Sequence, residues 1–130
     1  MVMVKKIFKG ATKPSYQASW LGDKIDYDIV DYTNIKHIEA ILRTINLESE
    51  IVPNNTLTLI AEDMRVTIRL MIKQGILNTT DEIIISGINA GDTLKDISLK
   101  VNIQESGVRK RFIKICSKIA QHNMRIMLRK

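Results

Sequence analysis

The chain has 130 residues, 45% of them apolar and 26% charged, and carries a formal net charge of +6. This length suggests one domain with a hydrophobic core, and the single cysteine, Cys116, excludes an internal disulfide and a thiolate metal site. The longest stretch without a charged residue, 51–61, is far shorter than the roughly 20 apolar residues of a membrane span, so we expect no membrane association.

The first part of the chain has no strong helical period. Residues 1–10 contain alternating apolar side chains, which favour a short strand or an extended arm. They hold three lysines and no apolar run of signal-peptide length, so we expect a cytoplasmic protein. Residues 11–24 indicate a loop that Trp20 anchors to the core or to a partner, and residues 25–32 fit either a strand or the approach to a helix.

Two amphipathic helices are predicted next. The first spans about Thr33–Leu47, where isoleucine and leucine recur at three- and four-residue steps, and Thr33 or Asn34 can cap it. The second runs from about Thr56 to Gln74 with the same period and stops at a glycine. We therefore assign residues 1–75 to an N-terminal arm and helical region that dimerises or contacts a partner.

A third helix is predicted shortly after residue 75. Thr79 or Thr80 can cap it, and Asp81 and Glu82 lie in its first turn, where acidic side chains interact favourably with the helix dipole. The helix should end near Gly91, since glycine readily adopts the left-handed conformation at a C-terminus.

Two further helices are predicted with a short turn between them. Asp92 can cap the first, 93–101, and Asn102 can adopt the left-handed turn that ends it. The second starts at Gln104 and reaches Gln121 or beyond. The inward side of this last helix is predicted to consist of Val108, Phe112, Ile115, Cys116 and Ile119.

Positive charge is concentrated at the C-terminal end. Residues 100–130 contain nine lysines and arginines and one acidic residue, Glu105, whereas basic and acidic residues balance over 1–60. Such a local field attracts a polyanion, and nucleic acid is the first candidate. A solvated basic helix face with no dedicated partner is the alternative.

The turn at 102–104 is typical of two helices that meet at a corner. Ile103 is apolar and can fill the space beneath that corner. The polar residues in the first turn of the second helix then point towards solvent, and basic residues follow them along the same face. An α-helix fits the DNA major groove, where such a helix can read base edges and neutralise phosphates.

The run from about Leu77 to Ile119 resembles the four-helix helix-turn-helix module in region 4 of bacterial sigma factors, and the DNA-binding module of LuxR-type regulators. The size of the chain and the C-terminal position of the module also resemble sigma-like late-gene activators of phages that infect Gram-positive bacteria. The resemblance implies a mainly α fold whose residues 76–130 form a tetrahelical helix-turn-helix. The matching features are Asp81-Glu82, Gly91, 93–97, Asn102-Ile103, 108–112, Ile115 and Ile119.

The resemblance also implies residue roles in binding double-stranded DNA. Base reading is expected from Gln104, Glu105, Ser106, Arg109 and Lys110. Phosphate contacts are expected from Lys100, Arg111, Lys114, Lys118 and Arg125. Gly107 departs from the family pattern; it should cost about 1 kcal/mol of helix stability relative to alanine and would permit close approach to the DNA backbone.

The sequence allows either a homodimer or a monomer. The apolar residues of 124–128 would form a homodimer, as the last helix does in LuxR-type modules, or would pack on the predicted helix 56–74. A sigma-like protein would instead act as a monomer on RNA polymerase. Two other functions remain possible from the sequence: an adaptor that binds a protein through its basic face, and a DNA-binding assembly or packaging protein.

No enzyme, cofactor or metal site is expected from the sequence. His37 fits a structural role on the first helix, and His122 would at most add a pH-dependent charge to the basic segment. Neither histidine has a carboxylate or cysteine partner at metal-ligand spacing, and Cys116 falls on an inward helix face. The chain also lacks a glycine-rich phosphate loop and an HExxH motif.

Overall fold

A computed structural model describes residues 30–52 and 54–128, and these ranges are mainly α-helical, as predicted. They contain five helices and no strand. The arm predicted at 1–10 and the loop with Trp20 lie outside the described residues. Within the described ranges, no helix is both long enough and apolar enough to cross a bilayer. The helices are α1 (Ile35–Thr44), α2 (Thr56–Lys73), α3 (Thr79–Ala90), α4 (Leu94–Val101) and α5 (Glu105–Leu128).

Polar side chains fix where the first four helices begin. Asn34 caps α1, as predicted, and its Oδ1 accepts hydrogen bonds from two backbone N–H groups of the first turn. Asn55 caps α2 in the same way. The caps predicted for the next two helices, Thr79 or Thr80 and then Asp92, were wrong by one or two residues, since Asn78 caps α3 and Thr93 caps α4. Each cap satisfies N–H groups that have no partner within the helix.

Backbone conformation determines where the helices end. Helix α1 is shorter than predicted because Ile45 already has extended backbone angles. Gly91 and Asn102 take the predicted left-handed conformation after α3 and α4, with φ of 87° and 58°. Helix α5 continues without a break to Leu128. Residues 76–128 therefore contain three helices, and the tetrahelical arrangement predicted for this region was wrong in its helix count.

The helices share one hydrophobic core. Helix α5 packs against α1, α3 and α4, and α3 also packs against α1 and α4. All five predicted inward residues of α5 are buried. The N-terminal helix α1 therefore contributes to the same core as α3, α4 and α5.

Side-chain hydrogen bonds join the N-terminal helices to the C-terminal ones. The Asn89 amide of α3 donates to the carbonyls of Leu42 and Ile45, at 2.8 and 2.7 Å, and so satisfies the end of α1. The Tyr32 hydroxyl donates to Asp63 of α2 at 3.0 Å, while its carbonyl accepts from Asn123 of α5 at 2.9 Å. Burial, aided by the Asp63 carboxylate, raises the pKa of Tyr32 well above its ordinary value.

Candidate nucleic-acid interface

A three-residue corner, 102–104, sets the position of α5 relative to α4. After the left-handed Asn102, the N–H of Ile103 donates to the carbonyl of Ser98 at 3.2 Å, and its side chain is half-buried. A Cβ at Gly107 would lie 2.6 Å from Cγ2 of Ile103. Gly107 is thus explained by packing inside the corner, whereas the sequence had suggested close approach to the DNA backbone.

Another glycine brings α3 and α4 close together. A Cβ added at Gly87 would lie 2.7 Å from Cγ1 of Ile97, whose side chain is fully buried and has little room to shift. Close-packed cores resist such insertions, so a larger residue at position 87 would move α4 away from α3. Together Gly87 and Gly107 allow the compact arrangement that holds α5.

The last corner residue and the first turns of α5 carry the predicted base-reading residues on the solvent side. The positions Gln104, Glu105, Ser106, Arg109 and Lys110 are all exposed. In the described ranges, no carboxylate lies within ion-pair distance of Arg109, Lys110 or Lys114. The outward face of α5 therefore presents a polar first turn followed by cations that have no acidic partner there.

The five predicted phosphate contacts fall into two groups. Lys114 and Arg125 are exposed. Lys100 pairs with Asp92 at 3.1 Å, and the half-buried Lys118 donates to the Ile76 carbonyl at 3.3 Å. Arg111 also has partners within the protein, and Lys100 stays exposed despite its ion pair.

The internal partners of Arg111 belong to the start of α3. Its Nε donates to Oδ1 of Asp81 at 2.9 Å, and a terminal guanidinium nitrogen lies 3.3 Å from Oδ1 of Asn78. Asn78 and Asp81 also form a capping box, in which each side chain accepts from the other residue's backbone N–H, at 2.9 and 3.0 Å. The spacing of Asn78 and Asp81 is the sequence signal of this box, but nothing in the sequence points to its contact with α5.

Cys116 and His37 are the other residues considered for catalysis or metal binding. Cys116 is fully buried, as predicted, and burial, reinforced by the Glu39 carboxylate, raises the pKa of its thiol to about 12, so the thiolate needed for nucleophilic attack is scarce. Nδ1 of His37 accepts from the Asp31 N–H at 2.9 Å, a contact that joins the start of α1 to the residues before it. In the described ranges, no three His, Cys, Asp or Glu side chains are grouped to hold a metal ion.

His122 lies in a different environment from the one predicted. Its side chain is buried rather than part of the basic surface, and among the described residues its Nε2 has no hydrogen-bond partner. Beyond it, the side chains of Met124, Ile126, Met127 and Leu128 are 40–80% exposed. The end of α5 is therefore not buried against α2, which was one of the two arrangements predicted for it.

A scan against protein-family models, a search of curated protein sequences and a search of solved structures each returned no significant match. The resemblance to region 4 of sigma factors stays a prediction made from the residues of this chain.

Proposed function

We propose that this chain is a DNA-binding transcription regulator in which α4, the corner and α5 act as a helix-turn-helix. The observation that carries the proposal is the outward face of α5, where exposed polar residues precede the cations Arg109, Lys110 and Lys114, which have no ion-pair partner among residues 30–52 and 54–128. Polar groups at the start of a recognition helix reach base edges, and the cations that follow neutralise phosphates.

The dimensions of α5 suit this role. An α-helix with its side chains is about 10–12 Å wide, close to the width of the B-DNA major groove of about 12 Å. Glu105 and Arg109 lie one helical turn apart on the same face, so both can reach the groove floor. In such a pose Arg109 can donate two hydrogen bonds to a guanine, and Glu105 can accept one from a cytosine.

An exposed apolar end of α5 favours a second candidate role alongside DNA binding. Met124, Ile126, Met127 and Leu128 are solvent-accessible and follow directly after the proposed DNA-binding part of the helix. Such residues suit contact with a second copy of the chain or with RNA polymerase. An adaptor that uses the basic face on an acidic protein, or a ring-forming assembly protein, would share these features.

A salt titration of the wild-type protein separates these functions. We expect micromolar binding to a random duplex of about three helical turns, falling steeply between about 50 and 200 mM salt because bound phosphates release counterions. Light scattering on the free protein distinguishes a dimer from a monomer or a ring. Absence of binding at the lower salt concentration would contradict the proposal and favour the adaptor.

Arg109 and Lys114 should differ in what they contribute. We expect Arg109→Ala to cost about 1–3 kcal/mol of binding free energy and to relax the preference at one base pair, because it reads a base edge. Lys114→Ala should weaken binding to all sequences alike and reduce the salt slope by about 1, because it contacts phosphate. Competition binding with single-base variants of a selected site measures both effects. Equal losses on selected and random DNA for Arg109→Ala would rule out base reading by this residue.

A further inference from the structure

The contact between Asp81 and Arg111 is the one place in the described ranges where a buried charge meets the proposed recognition helix. Asp81 is 2% exposed, and its carboxylate accepts from Nε of Arg111 at 2.9 Å. The same carboxylate accepts the Asn78 N–H, and Asn78 in turn lies within reach of the guanidinium. Two side chains from the start of α3, Asp81 and Asn78, thus contact one side chain of α5.

Stability alone is a weak reason for such a pair. Taking a carboxylate out of water costs free energy that its ion pair only partly offsets, and apolar residues of similar volume are often as stable. A hydrogen-bonded ion pair, however, has a narrow range of distances and angles, whereas apolar side chains tolerate sliding and rotation. The pair therefore restricts how α5 can rotate against α3.

The position of Arg111 on α5 connects this restriction to the outward face. Successive residues of an α-helix are about 100° apart, so Arg111 lies on the side of α5 roughly opposite Arg109. A rotation of α5 about its axis would move Arg109 and Glu105 sideways across the groove. Base-edge hydrogen bonds tolerate little displacement, and such a movement would misplace them.

We propose that Asp81 and Arg111 are positioning residues, which fix the rotation of α5 and so determine which base pairs its outward face reads. This inference rests on the proposed function and deepens it, because it assigns sequence specificity to a buried carboxylate that cannot itself touch DNA. It also replaces the predicted phosphate contact of Arg111 with a role inside the protein.

The test compares Asp81→Asn, Arg111→Ala and Arg111→Lys with the wild type. In vitro selection first gives the preferred duplex of the wild type, and each protein is then titrated with that duplex and with random DNA well below its thermal midpoint. Asp81→Asn and Arg111→Ala should each lower the ratio of the two affinities at least about tenfold, the loss that one misread base pair causes. Their salt slopes should match the wild type, and Arg111→Lys, which keeps the charge and most of the fold, should restore part of the ratio.

Two further variants serve as controls. The double variant of Asp81→Asn and Arg111→Ala should lose no more specificity than either single one, since both remove the same contact. Asp92→Asn weakens the ion pair between Lys100 and the turn that follows α3, at a 30%-exposed carboxylate, and should leave the affinity ratio unchanged.

Each alternative outcome overturns the inference in a recognisable way. A salt slope reduced by about 0.9 in Arg111→Ala, with the affinity ratio kept, would identify a phosphate contact. A lowered thermal midpoint with ratio and slope both unchanged would identify a purely structural pair. A wild type that binds DNA but selects no preferred sequence would also exclude a positioning role. A wild type that binds no DNA would contradict the proposed function itself.

Discussion

Replacing Phe112 with alanine should lower the free energy of unfolding by about 3–5 kcal/mol, one of the largest losses expected for any single residue of this chain. The Phe112 ring is completely buried, in the part of α5 that packs against the other helices. The Arg43 guanidinium of α1 also lies over this ring, 4.9 Å from its centroid. Truncation would therefore leave a cavity and remove a cation–π contact.

Urea denaturation followed by circular dichroism measures this loss. The midpoint should fall while the slope of the transition stays unchanged, as expected for a change in stability alone. The neighbouring residue provides a matched control: Ile113 is 51% exposed, and Ile113→Ala should change stability by less than about 1 kcal/mol. Equal losses for the two variants would mean that α5 does not present Phe112 to the core.

The periodic parts of the fold could be predicted from the sequence because their signals are local. Helix α2 begins at the predicted Thr56, and its last residue is one before the predicted end. The left-handed Asn102 and the buried face of α5 followed from residue type and spacing in the same way. The predicted caps of α3 and α4 were wrong by one or two residues because adjacent Asn, Thr and Asp side chains can all accept from a helix N-terminus.

The helix count at the C-terminal end shows where resemblance and local signals disagree. A fourth helix was expected from the likeness to tetrahelical modules. Residues 108–128, however, contain neither proline nor glycine, so nothing in this stretch stops α5. The local signal indicated one long helix, and the structure has one.

The contacts of the basic side chains with other helices could not be predicted from the sequence. The position of a cation on a helix face tells whether it points outward, but not which group from another helix lies opposite. Arg111 meets Asp81, 30 residues earlier in the chain, and Lys118 meets the carbonyl of Ile76, 42 residues earlier. These pairings depend on how α3 packs against α5, which is a property of the tertiary fold.

Removing three cations from the outward face of α5 should nearly abolish DNA binding. We expect the combined variant Arg109→Gln, Lys110→Gln and Lys114→Gln to lose at least about a hundredfold in affinity for random duplex at low salt, since each contact contributes about 1 kcal/mol or more. Its salt slope should fall by about 1–3, because the phosphate at Lys114 is no longer neutralised, nor is any phosphate that Arg109 or Lys110 reaches on random DNA. Stability should change little, since all three side chains are exposed and none has an ion-pair partner in the described ranges.

A control with the same loss of net charge tests whether the effect belongs to α5. Lys36, Arg69 and Lys73 are also exposed, but they lie on α1 and α2. Replacing these three with glutamine lowers the net charge by the same amount. At about 0.1–0.15 M salt this variant should keep most of its affinity, since a long-range field acts weakly beyond the Debye length of about 8–10 Å. If both triple variants lost affinity equally, overall charge would explain the binding, and α5 would have no special role as the DNA-contacting helix.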